Sequence, residues 1–111
     1  MAKKKPEPKA EAPQPPPPLT LATTTQFDRD LKRVEKRGMR MEKLHAIIEL
    51  LQMHQSLPAS RRDHALTGDR KGWRDCHVEP DWILIYKIEG GKLTLGETGT
   101  HSDLFGKSVV L

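Results

Sequence analysis

The sequence predicts an α+β domain, a two-helix hairpin packed on one face of a small antiparallel β-sheet. Apolar residues recur at helical spacing in two adjacent segments, 27–34 and 41–51. From residue 73 the pattern changes to short apolar or alternating stretches, separated by Glu79-Pro80-Asp81 and by Glu89-Gly90-Gly91-Lys92. Seven of the 9 prolines fall within residues 1–18, which sets that segment apart and leaves 19–111 for one domain with a single modest core.

Residues 1–18 read as a disordered Lys/Pro-rich arm, because Pro15 to Pro18 favour polyproline II and nothing apolar is available to bury. Leu19-Thr20-Leu21-Ala22-Thr23 alternates with a β-branched bias and reads as a first strand. Thr25 followed by Asp28 resembles a capping box, and Phe27, Leu31 and Val34 form the apolar stripe of the helix it opens. Arg29, Asp30, Lys32, Arg33, Glu35, Lys36 and Arg37 fill the polar side, and Gly38 is the expected stop. Met41, Leu44, Ile47, Ile48 and Leu51 mark a second helix, expected to end at Leu57-Pro58. Residues 59–72 are polar and form a loop with a short extended piece around His64 to Leu66. Strands are expected over 73–78, over 82–88 as the central one, and over 92–98, followed by a turn and a short helical piece over 99–105. Leu31, Ile47, Leu84 and Leu95 should lie in the core, with Cys76 as a small buried hydrophobe.

Composition excludes several classes. The longest uninterrupted apolar run, Trp82 to Tyr86, is far short of the roughly 20 residues that cross a bilayer. The basic start meets Pro6 rather than an apolar stretch, which argues against a secretory signal. A single cysteine excludes a disulfide framework and points to a reducing, cytoplasmic setting. The net charge of +4 is mildly basic and suits a polyanionic partner.

Five histidines are many for 111 residues, and histidine titrates where proton transfer at neutral pH needs it. His45 and His54 lie on or just past the second helix, where a solvent-facing side chain explains them. His64, His77 and His101 lie in a loop, near a strand end and just after a strand, and Asp81 lies at a turn. A hydrogen-bonded structural role explains each histidine singly, whereas together with Asp81 they supply the groups of an acid/base site. Strand alternation sets His77 with Trp73 and Asp75 on the face opposite Arg74, Cys76 and Val78. If Val78 meets the helices, His77 faces away from them.

Three blocks now stand in order: Asp63-His64-Ala65-Leu66-Thr67-Gly68, then Lys71-Gly72-Trp73-Arg74-Asp75-Cys76-His77-Val78-Glu79-Pro80-Asp81-Trp82-Ile83-Leu84-Ile85-Tyr86-Lys87, then Thr98-Gly99-Thr100-His101-Ser102-Asp103-Leu104-Phe105-Gly106. Over residues 19–106 the chain resembles the YafQ-type toxins of the RelE superfamily; the arm lies outside the resemblance. The resemblance implies the toxin of a type II toxin–antitoxin pair, an endoribonuclease cutting mRNA in the ribosomal A site. Its partners would be a cognate antitoxin protein and the 70S ribosome with its mRNA and rRNA, with no membrane. The family's active-site residues fall on His64, His77, Asp81, His101 and Phe105.

That set suits cleavage with no cofactor and no metal, because RNA carries its own nucleophile, the 2′-hydroxyl. His64 is expected as base, His101 as acid, Asp81 as the group that orients a histidine or itself takes the proton, and His77 as a phosphate contact. Phe105 offers a π-face to a splayed base. Lys71 and Arg74, with Arg61, Arg62 and Arg70 nearby, are expected on RNA phosphates. Two readings compete. A ParE-like inhibitor of DNA gyrase needs no acid/base residues. A metal protein using His64, His77, His101 and Asp81 has ligand types that suit zinc, but not the short paired spacing of H-x-x-x-H.

Overall fold

The computed structural model describes residues 15–106, so most of the Lys/Pro-rich arm lies outside the described residues. The elements are β1 (Thr20–Thr23), α1 (Thr25–Lys36), α2 (Met41–Gln52), β2 (His64–Ala65), β3 (Arg74–Glu79), β4 (Trp82–Glu89), β5 (Lys92–Gly99) and α3 (His101–Leu104), with single 3₁₀ turns at Ala59–Arg61 and Gly68–Arg70. The strands form one sheet in the order β1-β5-β4-β3-β2. The α+β architecture, the helix pair on one face and the central position of β4 are as the sequence predicts. The sheet is mixed rather than wholly antiparallel, because β1 pairs parallel to β5, Thr20 with Lys92 through Thr23 with Leu95. The alternation in 19–23 showed a strand, but not which strand it would join or in which direction.

Both helices bury their apolar stripes against the same side of the sheet. Phe27, Val34, Leu44, Ile47, Ile48 and Leu51 form one cluster with Cys76, Val78, Trp82, Leu84, Tyr86, Leu93 and Leu95. Of the expected core residues, Leu31 is only half-buried. The Cys76 thiol is fully enclosed, and burial pushes its pKa up to about 12, which leaves it unreactive at neutral pH.

Helix boundaries follow their caps. α1 is capped by Thr24, one residue before the expected Thr25: Thr24 is extended and its side chain accepts from the Phe27 N–H at 3.0 Å. Three successive threonines leave the choice open in the sequence. Thr24 is selected because its hydroxyl also donates to the Gly96 carbonyl of β5 at 2.7 Å. Gly38, at φ +78°, stops α1 as expected, with the Met39 N–H on the Val34 carbonyl and the Gly38 N–H on the Glu35 carbonyl. α2 ends at Gln52, before Leu57-Pro58, where the Leu19 N–H takes the Gln52 carbonyl and the Gln52 amide returns to the Leu19 carbonyl.

Asp30 is the clearest departure from the sequence reading, which put it on the polar side. It is 1% exposed. β1 pairs with β5 only as far as Leu95, so the edge of β5 beyond it would carry unpaired backbone groups. Asp30 Oδ2 accepts the Thr98 N–H at 3.1 Å, and Oδ1 accepts from Gln26 Nε2 at 2.8 Å and Arg33 Nη2 at 3.1 Å. The Thr98 hydroxyl in turn accepts from the Trp82 indole N–H at 2.9 Å and donates to the Ile83 carbonyl at 2.8 Å.

The β4–β5 register shifts between Ile85 and Tyr86, which pair with Glu97 and Leu95, so Gly96 is the extra residue of a bulge. A side chain there is excluded, since a Cβ on Gly96 would lie 2.6 Å from the Trp73 ring. The bulge keeps both Leu95 and Thr98 on the helix side and turns Glu97 to the opposite face.

Two substitutions test this account. Leu84→Ala should lower unfolding free energy by about 2–5 kcal/mol, as for a buried leucine in a packed core. Asp30→Ala, which strands the buried Thr98 N–H, should cost about 1–3 kcal/mol. Both are read by chemical denaturation.

Candidate active site

The face of the sheet away from the helices carries two cross-strand rows. One runs His64, Asp75, Ile85, Glu97; the next runs His77, Ile83, Gly99. Asp75 and His77 share this face because Cys76 and Val78 face the core, as the alternation of the segment required. His64 lies one strand from Asp75, so it sits on the order of 8 Å from His77 by strand spacing and rise.

His101 reaches the second row through the turn after β5. Thr100 caps α3 in a reciprocal capping box: its hydroxyl accepts the Asp103 N–H at 3.1 Å, and Asp103 Oδ2 accepts the Thr100 N–H at 2.9 Å. Arg37, just past α1, grips the same carboxylate at 2.7 and 3.1 Å. Together these hold the Asp103 carboxyl far below the usual carboxylate range. Gly99 allows this packing, since a Cβ there would lie 2.7 Å from Asp103 Oδ2.

Asp81 Oδ1 accepts two hydrogen bonds from His101, one from the backbone N–H at 2.9 Å and one from Nδ1 at 2.6 Å. The backbone bond first, and the ring bond second, lower the Asp81 pKa, so it is a carboxylate at neutral pH. With Nδ1–H committed to Asp81, Nε2 of His101 is left for a substrate. The rings of His77 and His101 meet edge to face, with centroids 5.3 Å apart at 70°. His64 is held differently. Its Nδ1 lies 2.7 Å from the Arg62 carbonyl, which only accepts, so Nδ1 carries the proton and Nε2 has a free lone pair in the neutral ring.

The structure therefore brings His64, His77, Asp81 and His101 to one face. Phe105 follows α3, half-buried, with the Arg70 guanidinium 5.0 Å from its ring centroid. Lys71 is exposed in the loop before Trp73. Arg74 is not brought to this face. It belongs to the Cys76 and Val78 side of β3 and pairs with Asp63 at 3.1 Å, which also accepts from the Tyr86 hydroxyl at 2.6 Å. Of the other loop arginines, Arg61 donates to the Val78 carbonyl at 2.7 Å and Arg70 pairs with Glu97 at 3.0 Å, whereas Arg62 and Lys71 carry no ion pair among the described residues.

Asp75 was not singled out from the sequence. It is 4% exposed, its Oδ1 lies 3.2 Å from His64 Nδ1, and that oxygen accepts no hydrogen bond. Burial raises its pKa, against the opposing pull of His64, His77 and His101. Its alternation with His77 was the available signal; its depth was not visible. Among the described residues no group of three or more His, Cys, Asp or Glu side chains is arranged to hold a metal ion, and no helix is long and apolar enough to cross a membrane.

Comparison with known proteins identifies the family and the fold. The family model described as the bacterial toxin of a type II toxin–antitoxin system, YafQ, matches residues 19–106. The chain is 49% identical over 82 residues to the mRNA interferase toxin YafQ of Escherichia coli K12, covering 73% of this chain and 89% of that protein. It superimposes on YafQ in the crystal structure of the E. coli DinJ–YafQ toxin–antitoxin complex with a TM-score of 0.74 and 45% identity, covering 79% of this chain and 98% of the other. A metal-bound toxin from Helicobacter pylori gives a TM-score of 0.74 at 38% identity, covering 78% and 99%.

The Asp103 node sets an acid limit on the site. Its pKa is depressed in the folded state, so its contribution is full above the ordinary carboxylate value of about 4 and is lost as pH falls toward the folded value. Asp103→Asn should lower the melting temperature at pH 7. The gap from the parent should narrow steadily below pH 4 in melting curves taken across pH.

Proposed function

The chain belongs to the YafQ family of type II toxin–antitoxin toxins, and from that premise we propose that it is a ribosome-dependent endoribonuclease that cleaves mRNA in the A site without a metal and so stops translation. The observation that carries the chemistry is the pair of histidines that each commit Nδ1 to the protein and keep Nε2 for a substrate. His101 Nδ1 is held by the Asp81 carboxylate, and its Nε2 serves as the acid. His64 Nδ1 is held by the Arg62 carbonyl, with the buried Asp75 carboxylate 3.2 Å away, and its Nε2 serves as the base.

In the proposed reaction His64 takes the proton of a 2′-hydroxyl, O2′ bonds to the adjacent phosphorus, and the P–O5′ bond breaks. His101 protonates the departing 5′-oxygen, leaving a 2′,3′-cyclic phosphate and a 5′-hydroxyl. His77, beside His101, contacts the phosphate as its charge develops. Arg62 and Lys71, which carry no ion pair among the described residues, meet the RNA or ribosomal backbone. Arg74 serves instead by holding Asp63, the residue before His64. Asp81 is an orienting carboxylate rather than the base, given its lowered pKa. A gyrase inhibitor of the ParE kind has no use for such an oriented pair. The E. coli relative is crystallised with the antitoxin DinJ, which supports a cognate antitoxin that silences this chain in the cytoplasm.

His101→Ala should slow cleavage of ribosome-bound mRNA by about 10²–10⁴-fold while the protein stays folded and ribosome-bound. A substrate with an activated leaving group should lose much less, because it needs no proton. His64→Ala should slow both substrates alike. Equal loss on both substrates for His101→Ala would remove His101 as the acid, and selective rescue of His64→Ala would exchange the two roles. Expression without an antitoxin should arrest growth, and unimpaired translation in cells holding soluble wild-type protein would refute the toxin reading.

A further inference from the structure

The outward face of α2 carries a stripe that neither the core nor the histidine face uses. Glu42, Ala46, Glu49, Leu50 and Met53 recur at helical spacing and are all exposed. Leu50 and Met53 are 36% and 50% exposed, large apolar side chains left outside the core. With Ala46, Glu49 and Gln55 they line a trough of about 420 Å³. The stripe is also acidic in a basic chain. Lys43 of α2 is turned to Glu79 at 2.9 Å, and Glu42 and Glu49 carry no ion pair among the described residues.

The chain that enters β1 is fixed at one end of this stripe. α2 closes in a Schellman turn. The Gln55 N–H bonds the Leu50 carbonyl at 2.9 Å, the His54 N–H bonds the Leu51 carbonyl at 3.1 Å, and His54 takes the left-handed conformation, φ 61°, where glycine is usual. That turn brings the His54 ring to the residues before β1, and its Nε2 donates to the Pro17 carbonyl at 2.9 Å. Two hydrogen bonds between Leu19 and Gln52 secure the residues that follow. Residues 1–14 are thus tethered beside Met53 and Gln55. They contain Lys3, Lys4, Lys5 and Lys9 against Glu7 and Glu11, together with Pro6, Pro8 and Pro13.

We propose that the outer face of α2 is the docking site of this chain's own residues 1–14, with proline rings over Leu50 and Met53 and lysines at Glu42 and Glu49. Proline has no N–H to satisfy, so it covers an apolar stripe without stranding a donor. From Met53 to Glu42 the stripe runs about 17 Å, which about five or six extended residues span. Tethering at the edge of the trough holds the segment there at about millimolar effective concentration, so weak contacts suffice. The segment lies outside the family match over residues 19–106, so this contact belongs to the chain rather than to the family. α2 lies on the side of the sheet away from the histidines, and a segment docked on it leaves them open. Nothing in this arrangement depends on what the histidines cut.

The test places a nitroxide spin label on Ala10→Cys in the full chain and reads amide NMR intensities before and after the nitroxide is reduced. Cys76 is fully enclosed, so a thiol reagent at neutral pH reaches the introduced cysteine and not the native one. The amides of Ala46, Leu50 and Met53 should lose most of their intensity while the label is paramagnetic, and those of β2 and β3 should keep theirs. Adding Glu42→Lys and Glu49→Lys, both on the exposed face, should restore the α2 signals. No loss on α2, an even loss over the whole surface, or a loss that survives the charge reversal overturns the proposal. Isotope-labelled chains without nitroxide, mixed with spin-labelled chains without isotope, read contact between copies. Their intensities should be unchanged. A loss on α2 in that mixture would make a second copy the occupant and overturn docking within one chain.

Discussion

The bond from the Thr98 N–H to the buried Asp30 carboxylate is the contact on which the histidine-bearing face depends. β1 is too short to cover the whole edge of β5, and the uncovered part is the stretch that leads to Gly99, Thr100 and His101. Asp30 substitutes a helix-borne acceptor for a missing strand. The Thr98 hydroxyl extends the hold to Trp82 and Ile83 at the start of β4, directly after Asp81. His101 and the Asp81 carboxylate it donates to thus rise from two strand ends tied by one threonine. A buried charge is tolerable here because three donors converge on it.

How much of this could be read in the sequence depended on distance along the chain. The stripes of α1 and α2, the Gly38 stop, the turns around Pro80 and Gly90-Gly91, and the sharing of a face by Asp75 and His77 are all local consequences of spacing. The parallel β1–β5 pairing, the choice of Thr24 as cap, the burial of Asp30 and the commitment of Arg74 to Asp63 are settled by partners far away in sequence. Three consecutive threonines look alike until the Gly96 carbonyl selects one of them. Asp30 looked like one more charge on a polar helix side because the donor that needs it is 68 residues further on. The Gly96 bulge shifts the period of β5 by one residue, so strict alternation could not have placed Glu97. The four residues His64, His77, Asp81 and His101 were legible as a group through position and family resemblance, but only coordinates show that Nδ1 is the tied nitrogen of His64 and of His101.

Charge in the 59–74 loop looked like one cationic patch and divides into two kinds. Arg61, Arg70 and Arg74 are tied to a carbonyl or carboxylate and shape the loop that carries His64. Arg62 and Lys71 carry no ion pair among the described residues. A count of the cations in this loop therefore overstates the charge left unpaired among the described residues.

The pairing of β1 with β5 also governs when the molecule comes into being. Thr20 must wait for Lys92, so the first strand stays without a neighbour while some seventy residues are synthesised between them. His101 emerges later still. Both edge strands, β1 and β2, are in place by Ala65, but the sheet that joins them closes only with β5, and the set of histidines is completed after it, at His101. The topology thus leaves the site until the last strand, because the strand that bridges β1 and β4 and the histidine that follows it arrive together.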